Sequence, residues 1–306
     1  MRSVVFVGCL AALSAGCPTA DKPEHKTSGL VDTVKRETVP VDPAKATKNV
    51  AELLRAIGQS HDKVGAAIGA HKFSGSSTVE VLRGDTSLQK IEANVVIELD
   101  ARGNYRAIRN LSGDYGREVI YLDGTLYLRP RYSKYHRRAP ETKAEPTKLR
   151  NQFFSTLAEY LQPLANVLAI DKVSEVSFAG RSAYKITLTT ADKPRTRPDE
   201  RLDQRRWRET ITGGKVSGHV VLDKKSGAPL AAKISGEVAF TRKGKKLRMK
   251  LSISHAISDV GKAIAIAAPP PDQTVDTLQR NTETAERDRL LKGIAPPAGK
   301  TAIPSN

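Results

Sequence analysis

The side chains that most often carry chemistry are scattered through this sequence. Its six histidines, His25, His61, His71, His136, His219 and His255, include no pair at the spacing that sets two imidazoles on one helix face for zinc. No serine stands in a G-x-S-x-G elbow, no glycine-rich loop is built to cradle phosphate, and no dinucleotide fingerprint is present. His255 continues the apolar face of Leu247, Met249, Leu251 and Ile253, which reads as a half-buried strand-end imidazole and not as a base. Asp223 in LDKKSG and Asp259 in ISDVG sit where a turn uses a carboxylate to hold backbone N–H groups. A triad assembles in space and not in sequence, so an enzyme stays conceivable. No catalytic residue, metal ligand or cofactor is named, and a non-enzymatic protein is expected.

Charge is the second source of chemistry. The formal net charge is +17, and basic residues concentrate at 129–150, 192–214 and 242–250. In the first cluster Tyr132 and Tyr135 alternate with Arg131, Lys134, Arg137 and Arg138, a pattern that suits bases of a nucleic acid or a lipid head-group boundary. Such a balance favours anionic partners: nucleic acid, acidic lipids or envelope polymers. A plainer reading assigns much of this charge to solvated loops.

Cysteine decides between the partners. Arg2, an apolar run from Val4 to Leu13 and the small residues Ser14, Ala15 and Gly16 precede Cys17 in the order of a secretory signal. The run is too short to span a hydrocarbon core, which needs about 20 residues in a helix, so cleavage is expected. LSAGC resembles the bacterial lipobox, with Ser14 where leucine is commonest and Leu13 one place earlier. That resemblance implies that residues 1–16 are a signal peptide and that Cys17 becomes an acylated N-terminus. Pro18 follows in place of the aspartate that often retains lipoproteins at the inner membrane, which favours the outer membrane, facing the periplasm. The alternatives are a secreted protein with a free cysteine and an uncleaved anchor. Cys9 is the other cysteine, so the mature chain has no internal disulfide and no thiolate metal site. Export argues against nucleic acid.

From Cys17 to residue 47 the chain is rich in Pro, Thr, Lys and Asp without apolar period, and reads as a flexible tether. Between Lys48 and Ala70, apolar Val50, Leu53, Leu54, Ile57, Val64 and Ile68 recur at helical spacing. Leu149, Phe153, Leu157, Tyr160, Leu161, Leu164 and Leu168 form a second stripe over 148–168, with Pro163 to kink it. Most of the rest alternates, as in Ile91 to Leu99, Tyr184 to Leu188 and Leu247 to Ile253, which marks antiparallel strands with one buried and one wet face. Asp123-Gly124 within VIYLDGTLYL is the sharpest hairpin signal. About ten strands are expected in one curved antiparallel half-barrel covered by two or three helices, an α+β domain over residues 48–271. Residues 272–306 read as a polar helix and a frayed tail.

The order of a leading helix, the hairpin VIYLDGTLYLRP, a middle helix, GHVVLDKKSGAPLAAKISGEV and a closing ISDVGKAIAIAAPPP resembles the periplasmic lipoprotein-carrier superfamily of LolA, LolB and LppX type. The resemblance implies a half-barrel closed by helices whose concave face holds a lipid or lipoprotein acyl chain. The residues expected to line that face are Val95, Ile97, Leu99, Ile186, Leu188, Ile234, Val238, Leu251 and Ile253, each on an alternating apolar face. The rival is a structural or interaction lipoprotein that fills the sheet with its own side chains and docks on an anionic envelope partner. The segment 192–214, with seven basic residues and the sole tryptophan, joins two strands and is expected to be a basic flap at the cavity mouth, with Arg205, Arg206 and Arg208 at head groups and Trp207 at membrane or ligand.

Overall fold

Alternating residues build one sheet in this computed structural model, which describes residues 40–195 and 202–277. Its strands are β1 (His71–Arg83), β2 (Thr86–Leu99), β3 (Tyr105–Leu111), β4 (Gly116–Leu122), β5 (Thr125–Pro130), β6 (Tyr135–Arg138), β7 (Leu168–Phe178), β8 (Arg181–Thr190), β9 (Ile211–Asp223), β10 (Pro229–Arg242), β11 (Lys245–Ser258) and β12 (Thr274–Asp276). They order as β12-β6-β5-β4-β3-β2-β1-β11-β10-β9-β8-β7. Two meanders, β2 to β6 and β7 to β11, are joined where β1 pairs with β11 from Lys72 to Leu82. Every neighbouring pair is antiparallel except the short parallel contact of β12 with β6. The sheet stays open between β7 and β12, a curved half-barrel as expected. It holds twelve strands instead of about ten, because the four-residue β6 and three-residue β12 are too short to show alternation.

Hairpin chemistry sets the register. Leu122 pairs with Thr125 across Asp123 (φ +45°) and Gly124 (φ +86°), both left-handed as a two-residue type I′ turn requires. Ala179-Gly180 and Lys243-Gly244 repeat the geometry, so β7–β8 and β10–β11 turn in the same way.

Five helices are described: α1 (Pro43–Ala46), α2 (Val50–Ile57), α3 (His61–Ile68), α4 (Glu145–Glu159) and α5 (Leu202–Thr210). The single helix expected over 48–70 is two. Gly58 ends α2 and Ser60 precedes α3, and both residues favour helix boundaries over helix interiors. Ordered chain begins before residue 48, since the Asp42 carboxylate caps α1 and Ala46 is fully buried. In the second stripe α4 ends at Glu159, Pro163 lies in a 3-10 turn over Gln162–Leu164, and Leu168 opens β7 instead of closing a helix. Pro271–Gln273 form a 3-10 turn and Thr274–Asp276 form β12, where Arg137 donates to both oxygens of Asp276 at 2.6 and 3.0 Å; the rest of the polar helix expected from residue 272 lies outside the described residues. The signal segment, Cys17 and most of the tether lie outside the described residues, as does the chain beyond 277.

The helices cover one face of the sheet. Leu53 and Ala56 of α2, Val64 and Ile68 of α3 and Phe153 and Phe154 of α4 join the inward residues of the strands in one core. Each fully buried aliphatic side chain there contributes about 1.5–3 kcal/mol. Asn151 clasps α4 to α3, its Oδ1 accepting from the Asp62 amide at 3.1 Å and its Nδ2 donating to the Asp62 carboxylate at 2.8 Å.

Candidate functional site

All nine residues expected to line a ligand lie on the helix-covered face, and none is more than 5% exposed. They fall into two groups. Val95, Ile97 and Leu99 of β2 form one, and α3 sits hard on it: a Cβ at Gly65 would stand 2.8 Å from Leu99 Cδ2. Ile186, Leu188, Ile234, Val238, Leu251 and Ile253, on β8, β10 and β11, form the other.

The second group surrounds a trough made by missing side chains. Gly214 on β9 and Gly236 on β10 leave the sheet bare between Ile234 and Val238, opposite Leu251. Leu164 and Val167, on the link from α4 to β7, fill it. A Cβ on Gly236 would lie 2.6 Å from both Leu164 methyls, and one on Gly214 would lie 2.9 Å from Val167 Cγ2. Both side chains are at most 2% exposed. An aliphatic plug from a short connecting segment thus occupies a place that the strands leave empty. Leu164 belongs to the second apolar stripe of the sequence, but nothing in one dimension pairs it with Gly236.

Under α3 and α4 lies a buried polar group that the sequence pattern did not reveal. His61 Nε2 and His71 Nε2 are 3.0 Å apart, and the Phe154 ring stands edge-on to His61 at 5.1 Å. Phe73 bridges Phe154, at 4.9 Å, to His255, at 5.4 Å. Burial, then His71 and Arg150, hold His61 well below the usual imidazole range; burial also lowers His71, and takes His255 down to about 4. Neither nitrogen of His255 has a hydrogen-bond partner. Arg150 places its guanidinium 5.4 Å from the Tyr105 ring centroid, and its Nε is likewise buried without one. His255 is buried and unbonded, not the half-buried, bonded strand-end imidazole that its sequence context implied, because Phe73 packs against its ring; Asp223 is the turn carboxylate, accepting from Ser226 and from Arg181 at 2.8 Å.

The 192–214 segment contains α5. Arg205 and Arg206 are exposed, and Trp207 is half-buried with its ring 4.8 Å from Phe240. Phe240 offers an apolar ring at the end of β10, and burying an indole against it outweighs leaving it wet. Arg208 is half-buried on the same helix.

A depression of about 610 Å³ lies on the opposite face of the sheet. Hydroxyls of Thr78, Ser252, Ser235 and Ser217 cross it in one row, and Glu80, Lys250, Glu237 and Lys215 in the next. Of the nine expected lining residues, only Leu251 borders it. The basic cluster at 242–250 is partly neutralised here, with Arg248 3.5 Å from Glu237 and 3.2 Å from Asp85. Tyr132 is 76% exposed, whereas Tyr135 is buried beneath the Arg129 guanidinium, so the two tyrosines form no common stacking surface.

Among the described residues no three His, Cys, Asp or Glu side chains stand together as a metal site. No described helix is long and apolar enough to cross a membrane.

No family model and no curated protein matches the sequence. Solved structures do. The chain is similar to the Pseudomonas aeruginosa MucA/MucB complex (18% identity, 75% of this chain and 60% of that chain, TM-score 0.19). It is also similar to a DUF1329 family protein from Desulfovibrio piger (11% identity, 95% of that chain and 74% of this one, TM-score 0.20). A LolA superfamily protein from Nitrosomonas europaea matches 70% of this chain and 96% of its own at 10% identity and a TM-score of 0.20. The chain spans 58% of the length of MucB in its complex with MucA(peri).

Proposed function

We propose that this protein is an envelope lipoprotein, acylated at Cys17 and tethered to the outer membrane, that binds or transfers an acyl chain of a lipid or lipoprotein on the helix-covered face of its half-barrel. The observation that carries this reading is the Gly214–Gly236 trough filled by Leu164 and Val167. Aliphatic side chains that plug a bare strip of sheet are chemically equivalent to the methylenes of an acyl chain. Exchanging one for the other conserves buried apolar area, and only the short 160–167 link has to move. Ile234, Val238 and Leu251 would then contact the ligand, with Ile186, Leu188 and Ile253 beyond them and the β2 residues Val95, Ile97 and Leu99 under α3. Exposed Arg205 and Arg206 on α5 would meet anionic head groups, each worth about 1 kcal/mol near a charged leaflet.

A photoactivatable palmitate analogue tests the reading on the purified chain. Cross-links are expected on the 160–168 link and on β9 to β11, with Leu164→Ala increasing the yield at least threefold. Labelling scattered over the surface, or unchanged by Leu164→Ala in a variant shown to be folded by its melting curve, rejects it. Acyl binding that is absent while the chain still binds anionic envelope polymers selects the rival, an interaction lipoprotein with a self-filled core. Metabolic labelling with an alkynyl fatty acid tests the anchor, because the Cys17→Ser chain should lose the label.

A further inference from the structure

Several arginines of the sheet are paired with carboxylates, and two neighbours on β3 and β4 are not. Arg106 and Arg129 both donate to Glu118, at 2.6 and 2.7 Å. Arg138 donates to Glu145, and Arg181 to Asp223. Arg109 and Arg117 have no carboxylate within ion-pair distance among the described residues, yet they are placed directly opposite each other on β3 and β4. Like charges in register destabilise a sheet. Glu118, next to Arg117 in sequence, points to the other face and serves Arg106 and Arg129 there.

The pair lies on the helix-covered face. Arg109 is flanked on its other side by buried Val95. The Arg117 guanidinium stands 4.5 Å from the centroid of the Phe153 ring of α4 and donates to Gln152 Oε1 at 3.3 Å. Burial and the Arg109 charge both lower the Arg117 pKa. The Nε of Arg109 is buried with no hydrogen-bond partner. Arg150, one turn before Phe153 on α4, is 91% buried and its Nε is also without a partner. Arg109 and Arg150 thus each keep a buried donor unused, and Arg117 lies against α4 with the Arg109 charge beside it. A buried donor left unpaired is costly, and planar guanidinium forks match phosphate oxygens in bidentate fashion.

We infer that Arg109 and Arg117 form a phosphate-binding site at the margin of the acyl-binding face, so that the acyl ligand is a phosphorylated lipid. This inference rests on the acyl-binding reading for the lipid but not for the phosphate. Arg109 is in register with Ala232, four strands away or about 19 Å at the usual strand spacing, and Gly236 stands four residues further along β10. A headgroup at one end and a chain in the trough would lie across the same face.

Calorimetric titration of the purified chain with dodecyl phosphate, monododecanoylglycerol and inorganic phosphate tests the inference. The native chain should bind dodecyl phosphate at least tenfold more tightly than the neutral amphiphile. In the Arg109→Gln/Arg117→Gln chain that ratio should fall to near one, with binding of monododecanoylglycerol unchanged. Millimolar inorganic phosphate that displaces dodecyl phosphate only from the native chain shows that free phosphate is also accepted. Equal binding of the two amphiphiles by the native chain, or a ratio untouched by the double substitution, overturns the site. If neither amphiphile binds, acyl binding fails, and the phosphate site stands or falls on whether inorganic phosphate alone binds the native chain and not the double variant. Removing a like-charge pair should leave the melting temperature equal or higher, which separates lost binding from lost folding.

Discussion

His61 Nε2 lies 3.0 Å from His71 Nε2 in the interior, so one imidazole donates and the other accepts, and the contact is lost if both rings are protonated. The pair stitches the start of α3 to the start of β1. Arg150 nearby adds to the penalty on any proton that enters.

Acid is therefore expected to loosen α3 and α4. The unfolded chain binds protons at these histidines from about pH 6.5 downward, whereas folded His255 does so only near 4 and His61 and His71 also resist. Unfolding takes up protons between those values, so stability is full above pH 6.5 and falls as the pH approaches 4. Melting curves from pH 7.5 to 4.5 should show this decline. It should be shallower in His255→Phe, which replaces two unpartnered buried nitrogens beside Phe73 and should be about 1–2 kcal/mol more stable at pH 6. An unchanged slope would remove His255 from the account.

The carboxylate of Asp223 is 2% exposed and is held by Arg181 at 2.8 and 3.2 Å and by the Ser226 hydroxyl at 2.6 Å. Arg181→Met leaves a buried charge without its cation, and a loss of about 3 kcal/mol is expected in urea unfolding. Arg181→Met combined with Asp223→Asn should recover part of it. A loss below about 1 kcal/mol in the single variant would mean that Ser226 and the turn amides suffice.

Ala179 turns the β7–β8 hairpin at φ +48°, where its Cβ crowds the following carbonyl. It is exposed, so nothing is lost on truncation. Ala179→Gly should raise stability by up to about 1 kcal/mol, the left-handed strain relieved less the entropy that glycine adds to the unfolded chain. A destabilised variant would show that the turn tolerates alanine without strain.

Trp207, packed on Phe240 with its Nε1 buried, should emit at shorter wavelength than an exposed indole. Anionic vesicles are expected to leave that emission unchanged while Arg205 and Arg206 carry any binding. A blue shift on vesicle addition would instead restore the indole as the membrane contact.

The sequence by itself determined the local content of the fold. Alternation at Ile91 to Leu99 and Leu247 to Ile253 set which side chains turn inward, because the strand period of two leaves no other choice once one face is buried. Asp123-Gly124 determined a hairpin because few residue pairs accept two left-handed conformations in succession. The nine apolar residues assigned to the inner face are all there. Tertiary structure decided what meets them. That Leu164 fills the space over Gly236, 72 positions later, follows from the path of one link across the sheet and leaves no trace in periodicity. The same holds for His61 against His71 and for Arg109 opposite Arg117. These pairings depend on strand register and helix docking, which bring together residues whose individual patterns advertise only a polar position. Trp207 shows the converse: a basic, proline-flanked stretch announces exposure, and only the apolar ring of Phe240 at the end of a neighbouring strand gives the indole somewhere better to go.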